Sequence, residues 1–296
     1  MIPPRRLILS GGGIKVTATI GSIKILHERG HLNSLKEVCG VSAGAWMALM
    51  VACRIPIETI ERLILELDFG QIRNLSTDSL IGFPETFGFD DGSKFINLLN
   101  TIFRIVLKLD PDITFADLAA NKANIGFRCW AVDLITSGQR EFSVKETPDV
   151  KIIDALRASM ALPVYFTPII DSITGHMLTD GGVQGNMPLQ YLSEDECRES
   201  LAIGFSNGQE SIQKNPEDLM SFMRSVMGCL IHQNNEALLV KWNHLIIKIP
   251  VDEFPSWNFE ASREDRLMLL QKGIEATKTW LAKPTSSRPG QRRCSI

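Results

Sequence analysis

Three short stretches of this sequence carry groups able to do chemistry. Gly40-Val41-Ser42-Ala43-Gly44 lies between a short apolar run, Val38-Cys39, and an apolar helical run from Ala45 to Ala52. That is the strand, G-x-S-x-G, helix pattern of a nucleophile elbow. A serine at the tip of so sharp a turn has strained backbone angles, and small residues on either side, Gly40 and Gly44, let the turn close. The positive end of the following helix favours an oxyanion formed beside the serine. A Gly-Ser pair is also an ordinary loop, so the motif alone leaves both uses open.

Gly11-Gly12-Gly13 directly follows the apolar run Leu7-Ile8-Leu9. Three glycines there let backbone N–H groups turn toward an anion. No Gly-Lys-Ser/Thr follows, so this is not a Walker loop, and Val16 stands where a dinucleotide fingerprint has its third glycine. One strand ahead of an elbow, the loop reads as an oxyanion hole; the alternative is a tight turn. A nucleophilic serine also needs a base. Of five histidines, His27 and His31 fall at the end of the first helix, while His176, His232 and His244 come later. The order Ser42, Asp180, His244 would match a conventional triad. Asp180-Gly181-Gly182 offers a second solution, an aspartate at a strand end that reaches the serine hydroxyl directly.

The elements that must hold these groups follow from the apolar spacing. Arg6 to Ser10 reads as a buried strand, Ile14 to Arg29 as a helix stopped by Gly30, and Glu37 to Val41 as a second strand leading into the elbow. Strands alternating with helices imply a parallel, doubly wound sheet. Pro56 to Leu67 is an amphipathic helix. Residues 68–111 mix glycine, phenylalanine and polar residues, with an apolar helix from Phe95 to Leu109; they read as a helical cap insertion without a strand. Further strands are expected at Phe127 to Leu134, Glu141 to Val144, Met177 to Thr179, Leu201 to Phe205 and Leu245 to Ile249. Helices are expected at Lys151 to Met160 and Ser262 to Leu281. Residues 5–283 form one domain in this reading, and 284–296 a disordered tail.

Bulk properties narrow the classes. The chain has 296 residues, 44% hydrophobic and 22% charged, enough for a large buried core. A net charge of −3 argues against nucleic-acid binding. The six cysteines are scattered singly, without C-x-x-C spacing, so neither a zinc site nor a disulfide framework is indicated, and no cofactor is expected. The first residues lack a signal-peptide apolar run, and no run reaches a membrane span. A cytoplasmic setting is expected; any membrane contact is expected to be peripheral and made through phenylalanines of residues 83–109, the alternative and favoured use of which is packing of the cap on the core.

Taken together, Ser10-Gly11-Gly12-Gly13-Ile14-Lys15, Gly40 to Gly44, and Asp180-Gly181-Gly182 resemble the patatin-like phospholipase family. The likeness continues through Ala158-Ser159-Met160-Ala161-Leu162-Pro163 and through Gly182 to Pro188 with Asn186, and spans about residues 6–205. The resemblance implies a three-layer α/β/α sandwich around a mainly parallel sheet and hydrolysis of glycerolipid or phospholipid esters without a metal. It implies Ser42 as nucleophile, Asp180 as base and Gly11, Gly12 and Gly13 as the oxyanion loop. One departure stands out: the family's loop usually ends Arg/Lys-Gly, and here it ends Lys15-Val16. A lipid-binding protein without catalysis, or a triad esterase for soluble substrates using His232 or His244, are the rival classes.

Overall fold

The computed structural model of the chain describes residues 3–74, 77–206, 241–251 and 260–283, with 215, 217, 221, 222, 225, 226 and 254. His232, Cys229, Cys294 and the tail from 284 lie outside the described residues.

The fold begins with β1 (Arg6–Leu9), crosses through α1 (Val16–Glu28) to β2 (Glu37–Val41), and leaves the elbow as α2 (Ala43–Ala52). Helix α3 (Ile57–Glu66) follows. The insertion contributes α4 (Thr77–Thr86), β3 (Gly88–Asp90) and α5 (Ser93–Ile102), before α6 (Phe115–Ala120). Next come β4 (Gly126–Asp133), β5 (Gly138–Ser143), α7 (Ile152–Ser159), β6 (Val164–Phe166), β7 (Ile169–Ile170) and β8 (Met177–Asp180). The described chain ends with α8 (Glu194–Arg198), β9 (Ser200–Phe205), β10 (Ile246–Ile249) and α9 (Arg263–Ala282).

Eight strands make one sheet, ordered β10-β9-β1-β2-β4-β8-β7, with β5 also paired to β4. From β10 to β4 the pairing is parallel, as alternating strands and helices require. Beyond β4 it is antiparallel: β5 returns on β4, and β8 on β7, through short hairpins, and β8 also runs against β4. The sheet is thus mixed and mainly parallel, with four parallel and three antiparallel strand pairs, as the sequence reading expects. The registers also fix which edge of β4 each neighbour takes. Residues 126–130 of β4 pair with β2, 128–133 with β5, and 131–133 with β8. Strand β5 overlaps both others, so it occupies one edge, while β2 and β8 share the other edge and meet end to end.

Alternation along the strands sorts two cores. Leu7, Leu9, Val38 and Ile203 face the larger one, packed under α1, α2, α7 and α9. Ile8, Cys39, Val41, Trp130 and Ala202 face the smaller one, covered by residues 187–197 and Trp242. Helices α1 and α9 approach closely, since Gly273 lies against the Ala18 carbonyl. The insertion differs from expectation in one element. It contains β3, which pairs with β6 as a separate two-stranded ribbon. Three residues are too few for period-two patterning to show in sequence. Its phenylalanines also turn inward: Phe89, Phe95 and Phe103 are buried and Phe83 stacks on Phe89, leaving Phe87 exposed.

Candidate active site

Ser42 and Asp180 meet because β2 and β8 do. Val41 pairs with Trp130, and Asp180 with the next residue of β4, Ala131. The Ser42 hydroxyl donates to Asp180 Oδ2 at 2.6 Å, and both residues are buried. Asp180 Oδ1 accepts the Gly182 N–H at 2.7 Å, and the Asp180 N–H is donated to the Ala161 carbonyl. Burial pushes the Asp180 carboxyl up to about 7, although the hydrogen bonds from Ser42 and Gly182 pull the other way.

The backbone at Ser42 is the turn that the G-x-S-x-G spacing requires. Its φ of 54° and ψ of −133° are unfavourable for a side-chain-bearing residue. The turn closes because a Cβ at Gly40 would fall on the Gly44 carbonyl, and one at Gly44 on the carbonyls of Leu9 and Ser10. Ser159, at the end of α7, holds the turn from outside. Its fully buried hydroxyl accepts the Ser42 N–H at 3.0 Å and donates to the Trp130 carbonyl at 2.7 Å. Sequence spacing pointed to Ser159 only as part of the stretch preceding Asp180; a partner 117 residues from Ser42 leaves no local periodicity.

The glycine loop runs beside the elbow. A Cβ on Gly11 would stand 3.1 Å from Ser42 Cβ and 2.7 Å from Asn186 Oδ1. The Gly11 N–H is committed to the Asn186 carbonyl at 2.9 Å. Among the described residues the amides of Gly12 and Gly13 have no such backbone partner. Val16 has ordinary right-handed helical angles and is buried at the start of α1. It is a packing residue there and does not distort the loop.

The described histidines stand apart from Ser42. His176 Nδ1 is 2.7 Å from Asp133 Oδ2. His244 precedes Ile246, which is level with Ala202, Ile8 and Cys39 through successive registers. That places His244 three strands from β2 and at the opposite end of the sheet from the elbow. His27 is exposed on the last turn of α1, and His31 follows it. Chemically, then, the site offers a buried hydroxyl bonded to a carboxylate, a helix N-terminus and two amides.

The sequence model of the patatin-like phospholipases matches residues 7–193. The uncharacterized protein R571 of Acanthamoeba polyphaga mimivirus is 25% identical over 289 residues, covering 94% of each chain. The neuropathy target esterase sws of Drosophila melanogaster is 24% identical over 84% of this chain, which spans only 15% of that larger protein. Among solved structures, VipD from Legionella pneumophila superposes with a TM-score of 0.62 at 19% identity, over 94% of this chain and 67% of its own. That likeness is one of fold. With the match spanning the glycine loop, the elbow and Asp180, the chain belongs to the patatin-like phospholipase family, whose members are lipid acyl hydrolases.

Proposed function

We propose that residues 5–283 form a serine acyl hydrolase for glycerolipid or phospholipid esters, with Ser42 as nucleophile and Asp180 as base. The observation that carries this is the direct 2.6 Å hydrogen bond from the buried Ser42 hydroxyl to Asp180. Ser42 Oγ attacks the ester carbonyl carbon as its proton passes to Asp180 Oδ2. The carbonyl oxygen becomes an oxyanion beside the amides of Gly12 and Gly13 and the N-terminal end of α2. The tetrahedral adduct collapses, the C–O bond to the alcohol breaks, and Asp180 returns the proton to the departing oxygen. Water then repeats the sequence on the acyl-serine, releasing a fatty acid and restoring Ser42.

A carboxyl near 7 suits both halves of that cycle, since it accepts and returns a proton with little driving force lost either way. The cysteines Cys39, Cys53, Cys129 and Cys197 are free thiols, consistent with a cytoplasmic setting. Among the described residues no helix is long and apolar enough to cross a membrane, so access to lipid is peripheral in this proposal.

The test is fatty-acid release from a panel of phospholipid and glyceride vesicles, with fluorophosphonate labelling in parallel. Wild-type protein should release fatty acid and be labelled at Ser42, and Ser42→Ala should do neither. Release by Ser42→Ala within tenfold of wild type would remove Ser42 from the reaction.

A further inference from the structure

Two hairpins stand side by side at the end of the sheet beyond Ser42, and they are built alike. The β4–β5 turn reads Asp133-Leu134-Ile135-Thr136-Ser137-Gly138, and the β7–β8 turn reads Asp171-Ser172-Ile173-Thr174-Gly175. In each, the leading aspartate folds back on its own turn. Asp133 Oδ1 accepts the Ile135 N–H at 2.8 Å, and Asp171 Oδ1 accepts the Ile173 N–H at 2.9 Å. Each aspartate is then paired with a basic side chain from the other hairpin. Asp133 is 2.7 Å from His176, and Asp171 is 2.7 Å from Arg140. Strand pairing joins them further, because the Leu134 N–H reaches the Met177 carbonyl and Met177 pairs with Ile170.

The result is a fixed pair of turns whose tip residues, 134–137 and 172–175, include no charged side chain and point apolar side chains into solvent. Ile135 is 67% exposed and Ile173 60%, with Leu134 and Ile170 exposed beside them. A row of four exposed branched side chains on ordered backbone is unfavourable in water unless something covers it. Its position says what kind of surface would. Asp133 is three residues past Trp130, the partner of Val41, so the turns begin about 10 Å beyond the elbow. Gln184, four residues after Asp180, donates to the Ser137 carbonyl at 2.7 Å and ties the loop after the aspartate to the first tip.

We propose that these two turns are the membrane-docking surface of the protein, with Ile135 and Ile173 inserting together into the headgroup–acyl boundary of a lipid layer. The lipid occupant rests on the acyl-hydrolase reading above; the uncharged tips fit a zwitterionic surface without need of anionic lipid. Apolar interfacial elements bury about 5–10 Å into that boundary. That depth brings the Ser42 end of the sheet to the level of the headgroups, where the ester bonds lie. This replaces the phenylalanines of residues 83–109 as the contact, since most of those face the core.

The experiment uses the full chain and vesicles of pure phosphatidylcholine. Wild-type protein should co-sediment with them, and Ile135→Ser/Ile173→Ser should lower the apparent partition coefficient about tenfold or more. Hydrolysis of a soluble short-chain p-nitrophenyl ester should be unchanged in that variant, which also reports that it is folded. Independently, Ile135→Trp should show a blue-shifted emission component that appears only with vesicles. Vesicle binding that is absent, insensitive to the double change, or dependent on added phosphatidylserine would overturn the assignment. So would a change in molecular mass by light scattering in the double variant with vesicle binding intact, which would make the tips a self-association surface. Tip-dependent vesicle binding without any ester hydrolysis would instead retain the docking surface and sink the acyl-hydrolase proposal.

Discussion

The Ser159 hydroxyl stands between two strands of the site, accepting the Ser42 N–H and donating to the Trp130 carbonyl. It thereby fixes the peptide whose φ is positive to β4, the strand on which Asp180 pairs through Ala131. Removing it leaves a buried N–H without a partner, at a cost of about 1–3 kcal/mol, which the turn can relieve only by shifting. Ser159→Ala should therefore lower kcat roughly 5- to 150-fold with KM little changed, and slow fluorophosphonate labelling equally. Ser159→Thr keeps the hydroxyl and should recover much of kcat despite crowding its buried site. Full kcat in Ser159→Ala would show that the turn holds without it.

Gly11 is the residue of the loop nearest Ser42, and its amide is already engaged by Asn186. Its value is in having no side chain. Gly11→Ala should push Asn186 or Ser42 by a few tenths of an ångström and cost catalysis more than stability. A tenfold or larger fall in kcat with a melting temperature within a few degrees of wild type is expected, because sub-ångström misplacement is felt most in the reaction. Unchanged kcat would free the Gly11 side of the loop from any role in positioning.

Much of this site was legible because each glycine motif marks a place where backbones must touch. Gly40 and Gly44 flank Ser42 at the spacing their mutual contact demands. The strand ends at Val41 and Asp180 followed from apolar runs that stop at a polar residue. Less legible was the antiparallel turn of the sheet past β4. It depends on hairpin geometry at Asp133 and Asp171, where side chain to backbone bonds, not apolar period, set the path. Which phenylalanines of the insertion turn inward was not legible for a related reason. Composition shows that Phe89, Phe95 and Phe103 are apolar; which side they face depends on α5 packing against α7 and on the ribbon with β6.

Among the described residues no cluster of three or more His, Cys, Asp or Glu side chains could hold a metal, and Asp180 is occupied by Ser42 and Gly182. Ester hydrolysis should survive EDTA. Activity lost to chelation and restored by Ca²⁺ would count against a reaction run by Ser42 and Asp180 alone.

The base gives the sharpest expectation, because activity and stability should move in opposite directions. Only ionised Asp180 can take the serine proton, so kcat/KM should rise with pH through about 7 and fall roughly tenfold per unit below it. Folding responds with the reverse sign. Asp180 has an ordinary carboxylate value when unfolded and about 7 when folded, so between those values the native state holds the extra proton. Stability therefore declines as pH rises across that window, and above it the fold carries the full penalty of a buried charge, on the order of a few kcal/mol. Asp180→Asn removes the charge while its amide still accepts from Gly182 and donates to Ser42. At pH 8 it should be at least as stable as wild type, with the difference closing toward pH 4, and nearly as inactive as Ser42→Ala. Because the two residues act as one unit, the Ser42→Ala/Asp180→Asn double variant should be no slower than either alone. Denaturant midpoints at pH 4, 6 and 8, set beside kcat/KM for the three variants, decide it. An Asp180→Asn protein with near-wild-type turnover would overturn Asp180 as the base, whatever its stability.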